Sequence, residues 1–306
     1  MKESSWNSSA WLKQFIGADY LTDHRLLAKV YQNTVQVVQQ GHYVTEDGTE
    51  VTLPDDADMI KHSFLATEEL SAASVPALCD AATITVENVE CIDAGIALQQ
   101  QGFNPAVLNL ADAYQPGGLV LQGSHAQEES LFRRTNLFRS LYQFDDEYAQ
   151  EFHVPQPQEQ RYPMDQDWGG IYTPGALVLR APQNDGFKLL KEPVKMSFIA
   201  VAGINDPILN DSGLMDEIDS ETTRNKMRTI LRLGALNGHD ALVLGALGCG
   251  AFHNPPKQVA QLFHEVIDEK EFRGKFRHIT FAVLARPTSP TGLRNFAAFK
   301  QEFAND

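Results

Sequence analysis

From about Val75 onward the chain alternates short, continuous apolar runs with stretches of helical periodicity, and this alternation limits the possible folds more than any other feature. Candidate strands run from Ile84 to Val89, Ala106 to Leu110, Ala176 to Leu179, Met196 to Ala202, Ala241 to Leu247 and Ile279 to Leu284. Most are apolar throughout, as expected of strands covered on both faces. Helical patterns at 93–101, 128–143, 216–236, 256–268 and 290–303 separate them. Strands buried on two faces need helices on both sides, so the expectation is a three-layer α/β domain.

Before this region the texture differs. Leu12, Phe15, Ile16, Leu26, Leu27, Val30, Tyr31, Val35 and Val38 recur at spacings of three and four, which predicts one or two amphipathic helices between Trp11 and Gly41. Tyr43-Val44, Asp47-Gly48 and Val51-Thr52-Leu53 then read as a short hairpin. Residues 1–80 are therefore expected to form an N-terminal helical accessory region and 81–306 the main domain. Trp6 and Trp11 anchor the polar start. Phe144 to Gly170, rich in Gln, Pro and acids, lacks periodicity and reads as a long loop.

Composition excludes several classes. No run approaches the roughly 18 consecutive apolar residues of a membrane helix, and the first residues lack the apolar core of a secretory leader. A cytoplasmic location is expected, with export as an effector left open. Cys79, Cys91 and Cys249 form no CxxC pair, so reduced thiols are expected rather than a disulfide framework or a thiolate cage. The nine histidines show neither H-x-x-x-H nor H-E-x-x-H spacing, so no catalytic metal is expected. A formal charge of -15 disfavours duplex nucleic acid and anionic membranes. It leaves room for a small anion bound by backbone N–H groups.

Two glycine constellations suit such a ligand. The first runs from Asn109 through Tyr114-Gln115-Pro116-Gly117-Gly118-Leu119 to Gln127-Glu128-Glu129-Ser130, leaving a buried strand and entering a helix with two acids in its first turn. Glycines admit positive φ and close backbone approach, and a helix start offers unpaired N–H donors. Successive helical residues point about 100° apart, so one carboxylate can hold a hydroxyl while its neighbour faces the reacting carbon. The structural alternative is a tight turn whose acids complement the helix dipole, with Glu129 paired to Arg133.

The second constellation, Gly245-Ala246-Leu247-Gly248-Cys249-Gly250-Ala251-Phe252-His253-Asn254-Pro255-Pro256, follows the Ala241 strand. It fits neither the dinucleotide fingerprint nor a P-loop. A strand, a glycine loop and a proline-initiated helix nonetheless form a natural diphosphate cradle, the alternative being a glycine-rich connection without a ligand. Phe252 could stack on a base or ribose, and Cys249 reads as a small buried thiol rather than a nucleophile.

Together these runs resemble the bacterial-type poly(ADP-ribose) glycohydrolases, enzymes of macrodomain fold whose signature is a glycine triplet followed by Gln-Glu-Glu. Asn109 through Ser130, Tyr172 through Arg180, Gly238 through Phe252 and Asn254-Pro255-Pro256 match in order, and the likeness spans roughly residues 25 to 300. It implies a macrodomain-like mixed sheet flanked by helices. It further implies that Glu129 is the catalytic acid and base, Glu128 binds ribose hydroxyls, and Gly117, Gly118, Leu119 and Gln127 line the ribose and diphosphate. Gly248, Cys249, Gly250 and Ala251 would cradle the diphosphate, Phe252 would pack on the distal ribose, and Asn109 would fix the catalytic loop. Two departures stand out. The third glycine of the triplet is Leu119, and the family's Ala-Pro-Asn reads Ala202-Gly203-Ile204-Asn205.

The implied activity is glycosidic release of ADP-ribose from poly(ADP-ribose) or from ADP-ribosylated protein, with no cofactor. One carboxylic acid protonates the leaving oxygen, and the resulting carboxylate activates water. The alternatives are an ADP-ribose-binding module without catalysis and a hydrolase of a small ADP-ribosyl metabolite, because macrodomain pockets serve several purposes.

Overall fold

A computed structural model describes residues 6–304. In chain order the elements are α1 (Ser8–Phe15), α2 (Tyr20–Gln40), β1 (His42–Val44), β2 (Glu50–Thr52), α3 (Ala57–His62), β3 (Phe64–Ala66), β4 (Thr83–Glu87), α4 (Cys91–Gln100) and β5 (Pro105–Ala111). There follow α5 (Gln127–Arg134), α6 (Phe138–Leu141), α7 (Asp146–Phe152), β6 (Gly170–Arg180), β7 (Leu189–Ala202), α8 (Glu217–Leu236), β8 (Ala241–Leu244), α9 (Pro256–Ile267), β9 (His278–Ala282) and α10 (Pro290–Glu302). The chain forms two interleaved units. The first takes the chain up to Ser63, Gln115–Arg161 and Thr173–Met196, and the second takes Phe64–Tyr114, Tyr162–Tyr172 and everything from Ser197 onward.

A seven-stranded sheet has the order β3-β6-β7-β5-β8-β9-β4. Its β7, β5, β8, β9 and β4 pair in parallel, whereas β3 runs antiparallel to β6, so the sheet is mixed as expected. Alternate residues share a face. Ala106, Leu108, Leu242 and Leu244 join a core with Met227, Ile230, Val259 and Phe263 of α8 and α9, while α4 packs on the same two strands through β5 and β8. These layers belong to the second unit. Because β5 and β8 are parallel neighbours, Asp112 and Gly245 leave the sheet at the same carboxyl edge, where open α/β sheets bind ligands.

In the first unit α2 is the organising helix. Asp19 caps it and Gly41 ends it in the left-handed conformation. Leu26, Leu27 and Val30 bury against Trp11 and Phe187, and Trp6 donates its indole N–H to the Gly186 carbonyl at 2.8 Å, so both tryptophans anchor the start. Thr34 Oγ1 donates to the Arg133 carbonyl at 2.6 Å and the Tyr31 hydroxyl to that of Tyr142 at 2.8 Å. The N-terminal helix thus braces the helix that carries the acidic pair.

Three local expectations are corrected. The helix expected over 128–143 breaks at Thr135, which is extended and bridges Val178, while the Asn136 N–H donates to the Leu177 carbonyl and Asn136 Oδ1 accepts from the Leu177 N–H. An extended-strand partner there outcompetes helical propensity. The segment 144–170 is not all loop, because Asp145 caps α7 by accepting from the Glu147 and Tyr148 N–H groups. The strand expected to reach Leu247 stops at Leu244, where the glycine loop begins.

Candidate active site

The chain from Gln115 to Arg134 lies within the first unit. Pro116 is followed by Gly117 at φ 80° and Gly118 at φ 53°, a 3₁₀ turn covers Val120–Gln122, and Gly123 at φ 81° closes it. α5 then starts at Gln127 without a side-chain cap, so Glu128 and Glu129 enter its first turn. Both carboxylates turn inward, at 2% and 5% exposure. Glu128 Oε1 accepts from the Gly117 N–H at 3.2 Å, and Glu129 Oε1 accepts from the Leu119 N–H at 3.0 Å. Glu129 Oε2 is buried with no hydrogen-bond partner among the described residues.

The glycines are needed for this approach. A Cβ on Gly118 would lie 2.7 Å from Glu129 Oε1 and 3.4 Å from Glu128 Oε2, and one on Gly117 would lie 2.5 Å from the Phe132 ring. Arg133 is buried and donates from Nη1 to the Ser124 carbonyl at 2.7 Å, tying the loop to the helix that follows it. Gln127 is half-buried at the helix start, and Leu119 is 50% exposed, directed away from the core. Burial, with Tyr148 and Glu128 nearby, holds the Tyr142 phenol well above its ordinary range, so it stays a neutral hydrogen-bonding group.

The remaining candidates lie within the second unit. Asn109 is fully buried on β5. In the loop after β8, Gly248 has φ 69°, and a Cβ there would meet the Asn254 amide at 2.5 Å. Buried Asn254 pins the loop, donating from Nδ2 to the carbonyls of Ile204 at 2.6 Å, Phe252 at 3.0 Å and Gly248 at 3.1 Å. Gly203 packs flat on this turn, since its Cβ would fall 2.7 Å from Gly248 Cα. That contact accounts for a glycine at this departure from the family pattern. The backbone N–H groups of Gly248, Gly250, Ala251 and Phe252 have no acceptor among the described residues, which makes a run of donors suited to an anion.

Cys249 takes no direct part in that run. Its side chain is fully buried, burial pushes its thiol far above the usual range, its N–H donates to Ala246 and its carbonyl accepts from Asn295 Nδ2 at 3.2 Å. Phe252 is half-buried at the loop end, and Gly250 faces open space with no positive φ.

With this geometry established, likeness to known proteins becomes informative. The family described as microbial-type PARG, catalytic domain, matches residues 31–181. A solved poly(ADP-ribose) glycohydrolase from Thermomonospora curvata is 30% identical, covers 91% of this chain and 99% of its own, and superposes with a TM-score of 0.73. The chain belongs to the microbial-type poly(ADP-ribose) glycohydrolase family. The same T. curvata glycohydrolase bound to the inhibitor ADP-HPD aligns at 30% identity over 90% of this chain and 99% of its own, with a TM-score of 0.71. The Deinococcus radiodurans glycohydrolase in complex with ADP-ribose aligns at 30% identity over 82% and 98%, with a TM-score of 0.64. No curated protein sequence matches the chain.

Two supporting residues of this glycohydrolase escape a sequence reading. Asn254 reads there as part of a motif, and only the structure reveals it as the hub of three carbonyls. Asn136, which breaks the helix behind Glu129, carries no periodic signal at all.

Proposed function

We propose that Glu129 is the general acid and then the general base in hydrolysis of the ribosyl glycosidic bond of poly(ADP-ribose) and of ADP-ribosylated protein. The observation that carries this reading is the asymmetry of its carboxyl group: Oε1 is fixed by the Leu119 N–H and Oε2 is buried without a partner. A buried polar atom without a partner carries a cost of about 1–3 kcal/mol unless a ligand completes it, so such an atom is suited to meet substrate.

In the first step the protonated carboxyl gives its proton to the leaving ribose oxygen as the bond to the anomeric carbon breaks, leaving an oxocarbenium-like cation. In the second the carboxylate removes a proton from water, the water oxygen bonds to that carbon, and Glu129 is again protonated. Glu128, fixed by the Gly117 N–H, is the acceptor for ribose hydroxyls. The free N–H groups at Gly248, Gly250, Ala251 and Phe252 are assigned to the diphosphate, and the Phe252 ring to the distal ribose.

Leu119, exposed beside the carboxylate that its own N–H holds, narrows the path of a continuing polymer and favours terminal or single ADP-ribose. The cytoplasm is the proposed compartment, consistent with three cysteines that lie outside any disulfide. No helix of the described chain is long and apolar enough to cross a membrane. The test is ADP-ribose release from purified polymer and from mono-ADP-ribosylated protein, measured side by side. Release from at least one, slowed by about 10² to 10⁴ in Glu129→Gln, is expected; binding of both without release contradicts the reading.

A further inference from the structure

Asp23 and His24 on α2 meet His125 of the catalytic loop in a cluster that the hydrolytic reading leaves without a role. One ligand-capable atom from each of the three residues lies within 4.8 Å of the other two. His125 Nε2 is already 3.0 Å from Asp23 Oδ1, and the two imidazole rings stand edge to face with centroids 5.3 Å apart. In a tetrahedral site with bonds of about 2.0–2.1 Å, ligand atoms sit roughly 3.4 Å apart, so small side-chain rotations close the set.

His24 is prepared for ligation. Its Nδ1 lies 2.9 Å from the Tyr20 carbonyl, a contact in which the ring must donate, so the proton sits on Nδ1 and the Nε2 lone pair is left for an ion. Metal-bound histidines commonly donate their second N–H to a carbonyl in this way. His125 and Asp23 retain 42% and 24% side-chain exposure, which leaves an entry path and a position for water.

We propose that Asp23, His24 and His125 bind one borderline divalent transition ion of the zinc class. Two imidazoles and one carboxylate select zinc, cobalt or nickel over magnesium and calcium, which prefer all-oxygen shells. The ion is structural, a clasp between α2 and the end of the catalytic loop. His125 lies two residues before α5, and Gly123 is packed so tightly on α2 that a Cβ there would fall 1.9 Å from the His24 carbonyl oxygen. Binding the ion therefore fixes the run that delivers Glu128 and Glu129, and it raises the thermal midpoint of the protein.

The test uses the full chain stripped with a chelator and titrated with zinc chloride by calorimetry, with cobalt chloride as a spectroscopic probe and magnesium chloride as the control. Expected are one zinc per chain, cobalt d–d bands of low-symmetry nitrogen and oxygen ligation, a higher melting temperature with zinc, and no response to magnesium. His24→Ala and Asp23→Asn should each weaken zinc by at least about tenfold while leaving the chelator-treated melting temperature near wild type. If either variant unfolds, His125→Gln, on the more exposed side of the cluster, serves in its place. Absence of zinc binding by the wild type, or stoichiometric binding retained in the folded variants, overturns the proposal.

Discussion

The Leu119 N–H donates to Glu129 Oε1 at 3.0 Å, so the residue that departs from the family's glycine triplet is the one whose backbone holds the proposed catalytic carboxylate. Residue 119 contributes only its backbone N–H to this hydrogen bond, so the bond tolerates the substitution. The Leu119 side chain, half exposed, is then free to act on substrate scope. Leu119→Gly should shift the polymer-to-monomer ratio of kcat/KM toward polymer by roughly tenfold to two-hundredfold, the range a small shape change in a pocket supplies. Measuring both substrates on both proteins checks this, and an unchanged ratio removes Leu119 from selectivity.

Gly118 is the point of closest backbone approach to the carboxylates. With φ 53° and a Cβ position 2.7 Å from Glu129 Oε1, Gly118→Ala must displace either the loop or the carboxylate. A shift near 1 Å at reacting groups costs on the order of 10²-fold in rate, so turnover should fall by about that factor. Turnover compared at matched folded fraction, by circular dichroism, gives the answer, and full activity would show the loop is not bound to the carboxylate in the working enzyme.

Gly250 calls for a different argument. Its Cβ position is open and its backbone is not left-handed, so Gly250→Val should fold normally. Any effect then reports on ligand space. ADP-ribose affinity measured by calorimetry should weaken by roughly tenfold or more. Unchanged affinity in the folded variant would move the diphosphate away from this loop.

Lys226 on α8 gives a pH signature. Burial pulls its ammonium down to about 8. A base whose folded pKa is lowered is a cost at neutral pH, and that cost is relieved as pH rises from 8 toward the unfolded value of 10.5. Lys226→Met, similar in length and uncharged, should therefore stabilise the protein at pH 7 by up to about 3 kcal/mol, the size of a shift of this order at 1.36 kcal/mol per pKa unit. The advantage should shrink between pH 8 and 10.5. Urea denaturation of both proteins across that range isolates Lys226 from Cys249 and Tyr142, whose thiol and phenol are pushed up and act alike in both. An advantage constant with pH would contradict the assignment.

Much of this was legible in the sequence, for identifiable reasons. β5 and β8 are short, apolar apart from Asn109, and bounded by turn residues, so their existence follows from the local sequence. The three C-terminal helices carry full turns of periodicity and clear starts, with Asp216, Pro256 and Ser289 at or beside their N-caps. The break at Thr135 was not legible, because what decides it is a bridge to Val178, 43 residues further along the chain. β3 is three residues long, too short for any period to register. At the site the Gln127-Glu128-Glu129 run and both glycine loops could be read. The Asp23, His24 and His125 cluster could not, since His24 and His125 are about a hundred residues apart and share no spacing rule.

Proton transfer by Glu129, as proposed, is probed by Glu129→Gln. The amide keeps the size of the side chain and can still accept from the Leu119 N–H, but it has no proton to give. Single-turnover release of ADP-ribose from purified polymer, measured beside ADP-ribose affinity, should show turnover reduced by about 10² to 10⁴ with affinity preserved. Near-normal turnover in the folded variant would contradict the account and shift the chemistry to another group.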